Sequence, residues 1–196
     1  MRFAAVVLGA GASRRMQGEF KLVAKVGGRE VLRRVVDAAM GSECRPVVVV
    51  LGWMAERVRG VLPEGVEVVL NPNWASGMSS SIRKGVEAVM ARADGVVICP
   101  GDMPFLRAET LNRLVRACGK GIAYCTVGGE VRSPAAFDSR FFGDLLALEG
   151  DQGARRVVER YIGSAVAVEV DPLEMMDVDS PELLESARSL AAKLGL

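Results

Sequence analysis

Two carboxylates that follow apolar segments are the first residues in this sequence that could carry out chemistry. Asp102 directly follows Pro100-Gly101 and the apolar run at 95–99. Asp179 belongs with Asp177 to an acidic pair that precedes a proline-started helix. A carboxylate just past a buried strand can hold Mg²⁺, because this cation prefers oxygen ligands and phosphate. Taken singly, each segment is explained equally well as a turn or as the entry into a helix.

A glycine-rich segment after the first apolar run has the composition of a phosphate-binding loop. It reads Gly9-Ala10-Gly11-Ala12-Ser13-Arg14-Arg15 and is followed by Lys21. Glycines allow backbone N–H groups to approach phosphate oxygens closely, and the arginines and Lys21 can neutralise phosphate charge. The segment is not a Walker loop, and Arg14 replaces the third glycine of the dinucleotide fingerprint. An unspecialised turn is the alternative interpretation.

Two further segments carry polar residues that could take part in binding. The first spans residues 71–81 and contains Gly77, followed closely by three consecutive serines that end at Ser81. Serine hydroxyls and helix-start amides could contact a base or a ribose, whereas a helix cap would need only one serine. The second contains Asp151 and Arg155. It indicates a late cationic patch, with arginines on a solvated helix face as the alternative.

The chemistry is limited further because the 196 residues include no histidine. This excludes Ser-His-Asp and Cys-His nucleophile systems and zincin-type metal sites. Catalysis would have to rest on carboxylates, lysine, arginine, backbone dipoles and a hard metal. The net charge of +1 gives no basic footprint for nucleic acid.

Apolar and charged residues make up 50% and 25% of the chain, which is typical of a globular domain rather than a disordered chain. The apolar start is interrupted at Gly9, so we expect neither a secretory signal nor a membrane span. The four cysteines show no CxxC pairing, and we expect reduced, partly buried thiols. Together these features predict a cytoplasmic protein of one domain covering residues 1–196, with no membrane or nucleic-acid partner.

Short β-branched runs alternate with helical patterns along the chain. The runs predicted as strands are 3–8, 46–51, 66–70, 95–99, 122–127 and 166–170. Those predicted as helices are 30–40, 54–61, 80–91, 108–118, 139–147, 154–161 and 181–194, the last with Ser180 as N-cap and Pro181 at N1. Near-continuous apolar strands indicate a mostly parallel sheet flanked by helices. The predicted fold class is therefore α/β, doubly wound, in a single domain. In such sheets ligands bind at the carboxyl ends of the strands, a rule that picks out the four loops at 9–21, 71–81, 100–105 and 177–179.

Five groups of residues, in their order and spacing, carry a resemblance to a known family. They are Leu8-Gly9-Ala10-Gly11-Ala12-Ser13-Arg14-Arg15-Met16 with Lys21-Leu22, Asn71-Pro72 with Gly77-Met78-Ser79-Ser80-Ser81, Gly101-Asp102-Met103-Pro104, Asp151-Gln152-Gly153-Ala154-Arg155, and Asp177-Val178-Asp179-Ser180-Pro181-Glu182. The chain resembles the molybdenum cofactor nucleotidyltransferases, most closely the cytidylyltransferase branch. The spacing of Lys21 is more similar to the guanylyl branch, so the choice of base stays open. Arg132-Ser133-Pro134 stands where the cytidylyl branch often has Gly-His-Pro, so the acceptor also stays open.

The resemblance implies a Rossmann-like nucleotidyltransferase fold, a Mg²⁺ cofactor and a nucleoside triphosphate substrate, with CTP favoured. The nucleotide-binding residues that it implies are Leu8, Gly9, Ala10, Gly11, Ser13, Arg15, Lys21, Gly77 and Ser81. It implies catalytic roles for Arg15, Lys21 and Asp102, and it implies that Asp102 and Asp179 bind the metal. Ser133, Asp151 and Arg155 would face the acceptor.

The reaction that the resemblance implies is the transfer of CMP from CTP to the terminal phosphate of molybdopterin cofactor, with release of pyrophosphate. A transient contact with a molybdoenzyme or a chaperone would accompany it. One alternative is transfer to another small phosphorylated acceptor, such as a sugar phosphate or methylerythritol phosphate. Another is a non-catalytic chaperone that binds a nucleotide or the cofactor. A nicotinamide-dependent oxidoreductase would need the missing glycine of the dinucleotide fingerprint.

Overall fold

The computed structural model describes residues 1–12, 16 and 20–196 of the chain. Its strands are β1 (Phe3–Gly9), β2 (Lys25–Val26), β3 (Arg29–Glu30), β4 (Val47–Leu51), β5 (Glu67–Leu70), β6 (Gly95–Pro100), β7 (Ile122–Val127), β8 (Glu130–Asp138) and β9 (Val166–Glu169). Its helices are α1 (Val31–Gly41), α2 (Ala55–Arg59), α3 (Met78–Val89), α4 (Ala108–Cys118), α5 (Phe142–Leu146), α6 (Arg155–Arg160) and α7 (Pro181–Lys193). Short 3₁₀ turns lie at Lys21–Val23, Trp74–Ser76, Ser139–Phe141 and Pro172–Met175.

A seven-stranded sheet forms the centre of the molecule, in the order β5-β4-β1-β6-β8-β7-β9. The strands β5, β4, β1 and β6 are parallel, and β9 is parallel to β7. The strand β8 lies between β6 and β7 and is antiparallel to both. The prediction of a mostly parallel, doubly wound α/β sheet is confirmed. The strands β2 and β3 form a separate antiparallel hairpin.

Helices cover both faces of the sheet, as the apolar strands require. Side chains of β1 alternate between the faces: Ala5 and Val7 pack in the cluster that contains α1 and α4, whereas Ala4 and Val6 pack with α3, α5 and α6. Full burial of a valine or a larger apolar side chain contributes roughly 1.5–3 kcal/mol to stability. A third cluster packs α7 against the β2–β3 hairpin and includes Val178. The segment before α7 is thereby held against the body of the molecule.

Most helices and strands lie where the sequence predicts them. The helix α4 and the strand β7 begin and end at the predicted residues. The N-cap of α7 is also confirmed, because the Ser180 hydroxyl accepts a hydrogen bond from the Leu183 N–H and Pro181 stands in the first turn. The helix predicted at 139–147 begins instead as a 3₁₀ turn, with α5 after it.

The apolar patterns predict neither the β2–β3 hairpin nor β8. Proline lacks the N–H that a central strand donates to its neighbour, so Pro134 argues against a strand in this segment. The structure accommodates it at an irregularity of the β7–β8 pairing. Tyr124 pairs with Ala135 while Cys125 pairs with Arg132, so Ser133 and Pro134 fall between the paired positions.

The four cysteines are free and buried, in agreement with the expected reduced thiols. Within the described ranges, no helix combines the length and the apolar character that crossing a membrane requires.

Candidate active site

A cavity of about 440 Å³ lies at the carboxyl ends of the central parallel strands. Its wall is formed by several loops that lie far apart in the sequence. The described residues that line it are Leu8, Ala10, Gly11, Ala12, Lys21, Leu22, Trp74, Ala75, Gly77, Met78, Ser81, Pro100, Gly101, Asp102, Asp151 and Asp179. This is the edge at which open α/β sheets bind their ligands.

Lys21 bridges the two acidic loops of the cavity. Its Nζ atom lies 2.6 Å from Oδ2 of Asp102 and 2.5 Å from Oδ1 of Asp179. The Lys21 side chain is only 14% exposed, so this three-residue ion pair is shielded from solvent. The two carboxylates that the sequence analysis assigned to a metal thus converge on one cationic atom.

The charges of this cluster shift the pKa values of its members. Burial by itself lowers the pKa of Lys21, but the charge of Asp102 and the hydrogen bonds to Asp102 and Asp179 together raise it above its ordinary value. Burial raises the pKa of Asp177, and the negative charges of Asp179 and Asp102 raise it further. Two carboxylates thus contact the Lys21 ammonium group, and Asp177 lies close enough for its pKa to respond to their charges.

Backbone packing fixes the position of Asp102. The Gly101 N–H donates to the Leu8 carbonyl at 3.0 Å, and a Cβ at position 101 would lie 2.5 Å from that carbonyl oxygen. Only glycine lets the loop approach β1 this closely. The Val178 N–H donates to the Asp102 carbonyl at 3.0 Å, so a backbone hydrogen bond joins the two acidic loops.

The start of α3 is held by a buried polar network. The Asn71 side chain is buried, and its Nδ2 donates to Ser80 Oγ at 2.8 Å and to Ser81 Oγ at 3.0 Å. The Ser80 hydroxyl in turn donates to the Gly77 carbonyl at 2.8 Å. Because Ser81 Oγ accepts from Asn71, its own O–H can donate to a ligand in the cavity.

Gly77 brings the loop that contains Asp151 to the same wall. Gly77 has a φ of +115°, and a Cβ there would lie 2.2 Å from the Gly150 carbonyl oxygen. The same carbonyl accepts a hydrogen bond from the Ser79 N–H at 3.1 Å. Both the backbone conformation and the close approach require glycine at this position. Asp151, the next residue after Gly150, thereby reaches the cavity.

Trp74 is a residue of the cavity wall to which the sequence analysis assigned no role. A Cβ at Gly52 would lie 2.5 Å from Trp74 Cβ and 2.9 Å from Ala10 Cβ, so these three residues pack tightly together. The ring of Trp53 lies against that of Trp74, with centroids 5.3 Å apart and planes inclined by 59°. The available signal was a tryptophan in an otherwise polar loop, since tryptophan is costly to expose without a partner.

The cavity brings together most of the predicted site residues. Those that line it are Leu8, Ala10, Gly11, Lys21, Gly77, Ser81, Asp102, Asp151 and Asp179. Gly9 lies beneath the wall, where a Cβ would approach Leu32 Cδ2 to 3.2 Å. Ser13 and Arg15 lie outside the described residues. Their predicted roles, like those of the residues that line the cavity, stay predictions.

Two of the predicted acceptor-side residues are not among the described residues of the cavity wall. Ser133 lies at the irregularity of the β7–β8 pairing. Arg155 begins α6, and its Nε donates to Glu159 at 2.8 Å along that helix. The pairing of Arg155 agrees with the alternative of an arginine on a solvated helix face, and the acceptor-side role of both residues stays a prediction.

Asp102 and Asp179 have the chemistry of ligands for a hard divalent cation. Their oxygens already converge on the Lys21 ammonium, which shows that both carboxylates can face one positive centre. The described part of the chain contains no group of three or more His, Cys, Asp or Glu that could hold a metal ion. Two carboxylates that leave the other positions to water and phosphate are an arrangement typical of Mg²⁺. The residues present therefore fit this cation.

Comparison with known proteins gives the site a context. A family model described as "MobA-like NTP transferase domain" matches residues 5–166. The chain is 30% identical over 194 residues to the purine catabolism protein PucB of Bacillus subtilis (strain 168), and this alignment covers 93% of the chain and 94% of PucB.

Two solved structures share both the fold and part of the sequence. The homologue of Mycobacterium tuberculosis Rv0371c from Mycobacterium sp. strain JC1 superposes with a TM-score of 0.88 at 28% identity, covering 99% of this chain and 100% of that one. A manganese complex of Rv0371c from Mycobacterium tuberculosis H37Rv superposes with a TM-score of 0.82 at 26% identity, covering 96% and 99% of the two chains.

Proposed function

Because this chain belongs to the family of MobA-like NTP transferase domains, we propose that it transfers a nucleoside monophosphate from a nucleoside triphosphate to a phosphorylated acceptor. The specific reaction that we propose is the transfer of CMP from CTP to the terminal phosphate of molybdopterin cofactor, with release of pyrophosphate. One observation carries the proposal. Lys21, Asp102 and Asp179 meet in a cavity whose remaining wall includes the glycine-rich loop and the start of α3.

The proposed reaction suits a site without histidine. An oxygen of the acceptor's terminal phosphate attacks the α-phosphorus of the nucleotide in line, and the bond from that phosphorus to pyrophosphate breaks. The second pKa of a phosphate monoester is about 6, so the attacking group is already largely ionised at pH 7. No strong general base is required. Catalysis rests on the alignment of the two phosphates and on neutralisation of their charge.

Asp102 and Asp179 would hold Mg²⁺, which when bound neutralises charge on the phosphates and draws electrons from the phosphorus. The convergence of the two carboxylates on one cationic atom supports this assignment. The manganese complex of a protein 26% identical to this chain supports a divalent cation in general.

Lys21 and the glycine-rich loop would bind the triphosphate. The Lys21 ammonium is held at the cavity wall and carries three N–H donors, which suit phosphate oxygens. A Cβ placed on Gly11 would meet no atom of the described residues within 4 Å, which supports a close approach of phosphate to the backbone here. Arg15, which lies outside the described residues, would add a second cation.

The choice of base and acceptor belongs to the same proposal. Ser81 presents a hydroxyl donor to the cavity, and it stands at the position that the resemblance assigns to base contact. Asp151 faces the cavity from the loop packed on Gly77, which supports a contact with the acceptor. The motifs taken together favour CTP as the nucleotide. The spacing of Lys21 alone favours GTP.

A second candidate is transfer to another small phosphorylated acceptor, such as a sugar phosphate or methylerythritol phosphate. It is favoured by the residues Arg132-Ser133-Pro134, which differ from the motif of the cytidylyl branch. A non-catalytic chaperone is disfavoured because binding alone does not need two carboxylates that converge on one cation.

The deciding experiment measures pyrophosphate release from CTP, GTP, ATP and UTP, each with Mg²⁺ and molybdopterin. We expect release with CTP to exceed release with the other three. Parallel reactions replace molybdopterin by a sugar 1-phosphate or by methylerythritol phosphate. Release only with one of these would identify the second candidate, and no release with any pair would reject nucleotidyl transfer.

A further inference from the structure

The wall of the cavity has two chemically different parts. Lys21, Asp102 and Asp179 are joined by ion pairs and form a charged part. Trp74 and Met78, on either side of Gly77, add apolar side chains to the wall, and Asp151 enters it beside them from the loop packed on Gly77. A nucleoside triphosphate has the same division, since its phosphates are charged and its base is a planar ring of low charge. If the phosphates lie with the charged part, the base is left to the apolar side chains.

The position of the Trp74 side chain in the cavity wall is fixed by its packing against Gly52 and Ala10. The contacts of Gly52 show that the Cβ and Cγ atoms of Trp74 pack directly on the backbone of Gly52, beside the Ala10 side chain. Ala10 belongs to the glycine-rich loop and lines the same cavity. The indole of Trp74 therefore starts at the junction of the loop with the segment after β4, and it is only partly buried there.

Trp53 holds the indole of Trp74 from the side. The Trp53 N–H donates to the Ala10 carbonyl at 3.1 Å, and the Trp53 ring lies against the Trp74 ring at a centroid distance of 5.3 Å. Trp53 itself is 42% exposed, so burial in a core does not account for its position. The next residue, Met54, has a φ of +50°, which is an unfavourable conformation for a side chain of this size. The turn at Trp53 and Met54 thus places the Trp53 ring in contact with the Trp74 ring.

We propose that Trp74 is a further substrate-binding residue, whose indole contacts the planar base of the nucleotide, and that Trp53 is a positioning residue that sets its orientation. This inference rests on the proposed function. Contact between an aromatic side chain and a base depends little on which base it is, because every base has a π-face. Trp74 would supply affinity for all four nucleotides, and selection among them is left to hydrogen-bonding groups such as Ser81.

Tryptophan fluorescence gives a direct test, because the chain contains only two tryptophans and both belong to this pair. The variant Trp53→Phe leaves Trp74 as the single emitter. We expect CTP and GTP with Mg²⁺ to change its emission to saturation, and inorganic tripolyphosphate, which has no base, to leave it unchanged. An equal change with tripolyphosphate would overturn the proposal. So would a change caused by molybdopterin but not by any nucleotide, because the ring in contact would then belong to the acceptor.

Binding measured by calorimetry separates the roles of the two tryptophans. Trp74→Ala should raise the Kd of all four nucleotides by similar factors, on the order of 10- to 100-fold, and should leave the Kd of tripolyphosphate unchanged. Trp74→Phe should keep most of the affinity. Trp53→Ala should raise the Kd less, with Trp53→Phe restoring it, while far-UV circular dichroism stays constant. Met90→Ala, an exposed apolar residue after α3, is the matched control.

The failure of this inference differs from the failure of the proposed function. If the wild-type protein binds nucleotide and releases pyrophosphate while Trp74→Ala binds equally well, only the role of Trp74 is rejected. If the wild-type protein binds no nucleoside triphosphate, both are rejected.

Discussion

The Nζ atom of Lys21 lies 2.6 Å from Oδ2 of Asp102, so the ion pair joins the segment after the glycine-rich loop to the loop after β6. Asp179 accepts from the same ammonium at 2.5 Å. In the proposed function, the lysine thus lies between the two carboxylates that would bind the divalent cation. In the nucleotide-free protein, lysine and metal are expected to compete for these oxygens. When the triphosphate binds, its phosphates offer Lys21 other negative partners.

Replacing Asp102 by alanine should lower the rate of transfer by roughly 10²–10³-fold or more, by analogy with the loss of one charge-stabilising contact in other active sites. The fold should persist, because the Asp102 backbone contacts do not depend on its side chain. Steady-state pyrophosphate release and far-UV circular dichroism measure the two effects. Glu87→Gln removes an exposed carboxylate paired with Lys84 on α3 and should leave the rate unchanged. A wild-type rate for the Asp102 variant would reject the metal assignment.

Replacing Lys21 by methionine should have opposite effects on metal binding and on catalysis. Without the competing ammonium, Mn²⁺ should bind the nucleotide-free protein about 3- to 10-fold more tightly, a change of about 1 kcal/mol. Transfer should nevertheless slow, because the proposed contact of Lys21 with the triphosphate is lost. Electron paramagnetic resonance of free Mn²⁺ reports the first effect. Lys25→Met, which removes an exposed lysine nearby in sequence, is the control. Unchanged or weaker Mn²⁺ binding would contradict the competition.

Replacing Gly77 by alanine should destabilise the protein by about 2–4 kcal/mol, because the new Cβ adds both an overpacked contact and an unfavourable φ. The cause is the 2.2 Å approach to the Gly150 carbonyl oxygen at a φ of +115°. Urea unfolding measures the change. Gly143→Ala is the matched control, since Gly143 lies in α5 and, among the residues that the structure describes, no atom comes within 4 Å of the new Cβ. That control should be neutral or slightly stabilising.

Stability should fall at alkaline pH because the four thiols are buried and burial raises the pKa of each. Burial raises the pKa of Cys118 to about 11 and that of Cys125 to about 12. An unfolded thiol has a pKa of about 8.5, so above this pH the unfolded state releases protons that the folded state retains. The stabilising contribution is therefore complete below about pH 8.5 and is lost as pH rises towards the folded pKa values, by roughly 1–2 kcal/mol per thiol at pH 10.

Urea unfolding at pH 7.5 and pH 10 tests this dependence. The free energy of unfolding should differ less between the two pH values in Cys118→Ala and in Cys125→Ala than in the wild type, because each variant removes one of the titrating thiols. The same difference in the variants as in the wild type would exclude the thiols as its cause.

The sequence predicts the scaffold well because its strands are buried on both faces. The helix α4 and the strand β7 are bounded by the predicted residues, since apolar periodicity and burial agree there. The strand β8 escaped prediction because its pairing tolerates Pro134 only through an irregularity, and no local pattern reveals that irregularity. Register across strands is a property of the whole sheet.

The sequence predicts which loops form the site, but not which side chains contact one another there. The rule that ligands bind at the carboxyl ends of strands places Asp102 and Asp179 at one edge, and the structure brings them together. The sequence does not reveal that Lys21 bridges them, because that contact depends on how the 3₁₀ turn at Lys21–Val23 packs. The place of Trp74 in the cavity wall was not predicted for a similar reason. Its position depends on the space that Gly52 leaves, and these residues lie on different loops.

The hydrogen bond from the Val178 N–H to the Asp102 carbonyl has a consequence for the choice of ion. It fixes the distance between the two acidic loops through the main chain, so the side chains start from anchored positions. An anchored pair adapts poorly to ions of different radius. Mg²⁺ binds oxygen at about 2.0–2.1 Å and Ca²⁺ at about 2.3–2.6 Å, usually with more ligands. In its proposed role, the site should therefore discriminate by ionic radius, accepting Mg²⁺ and the similarly sized Mn²⁺ and binding Ca²⁺ weakly.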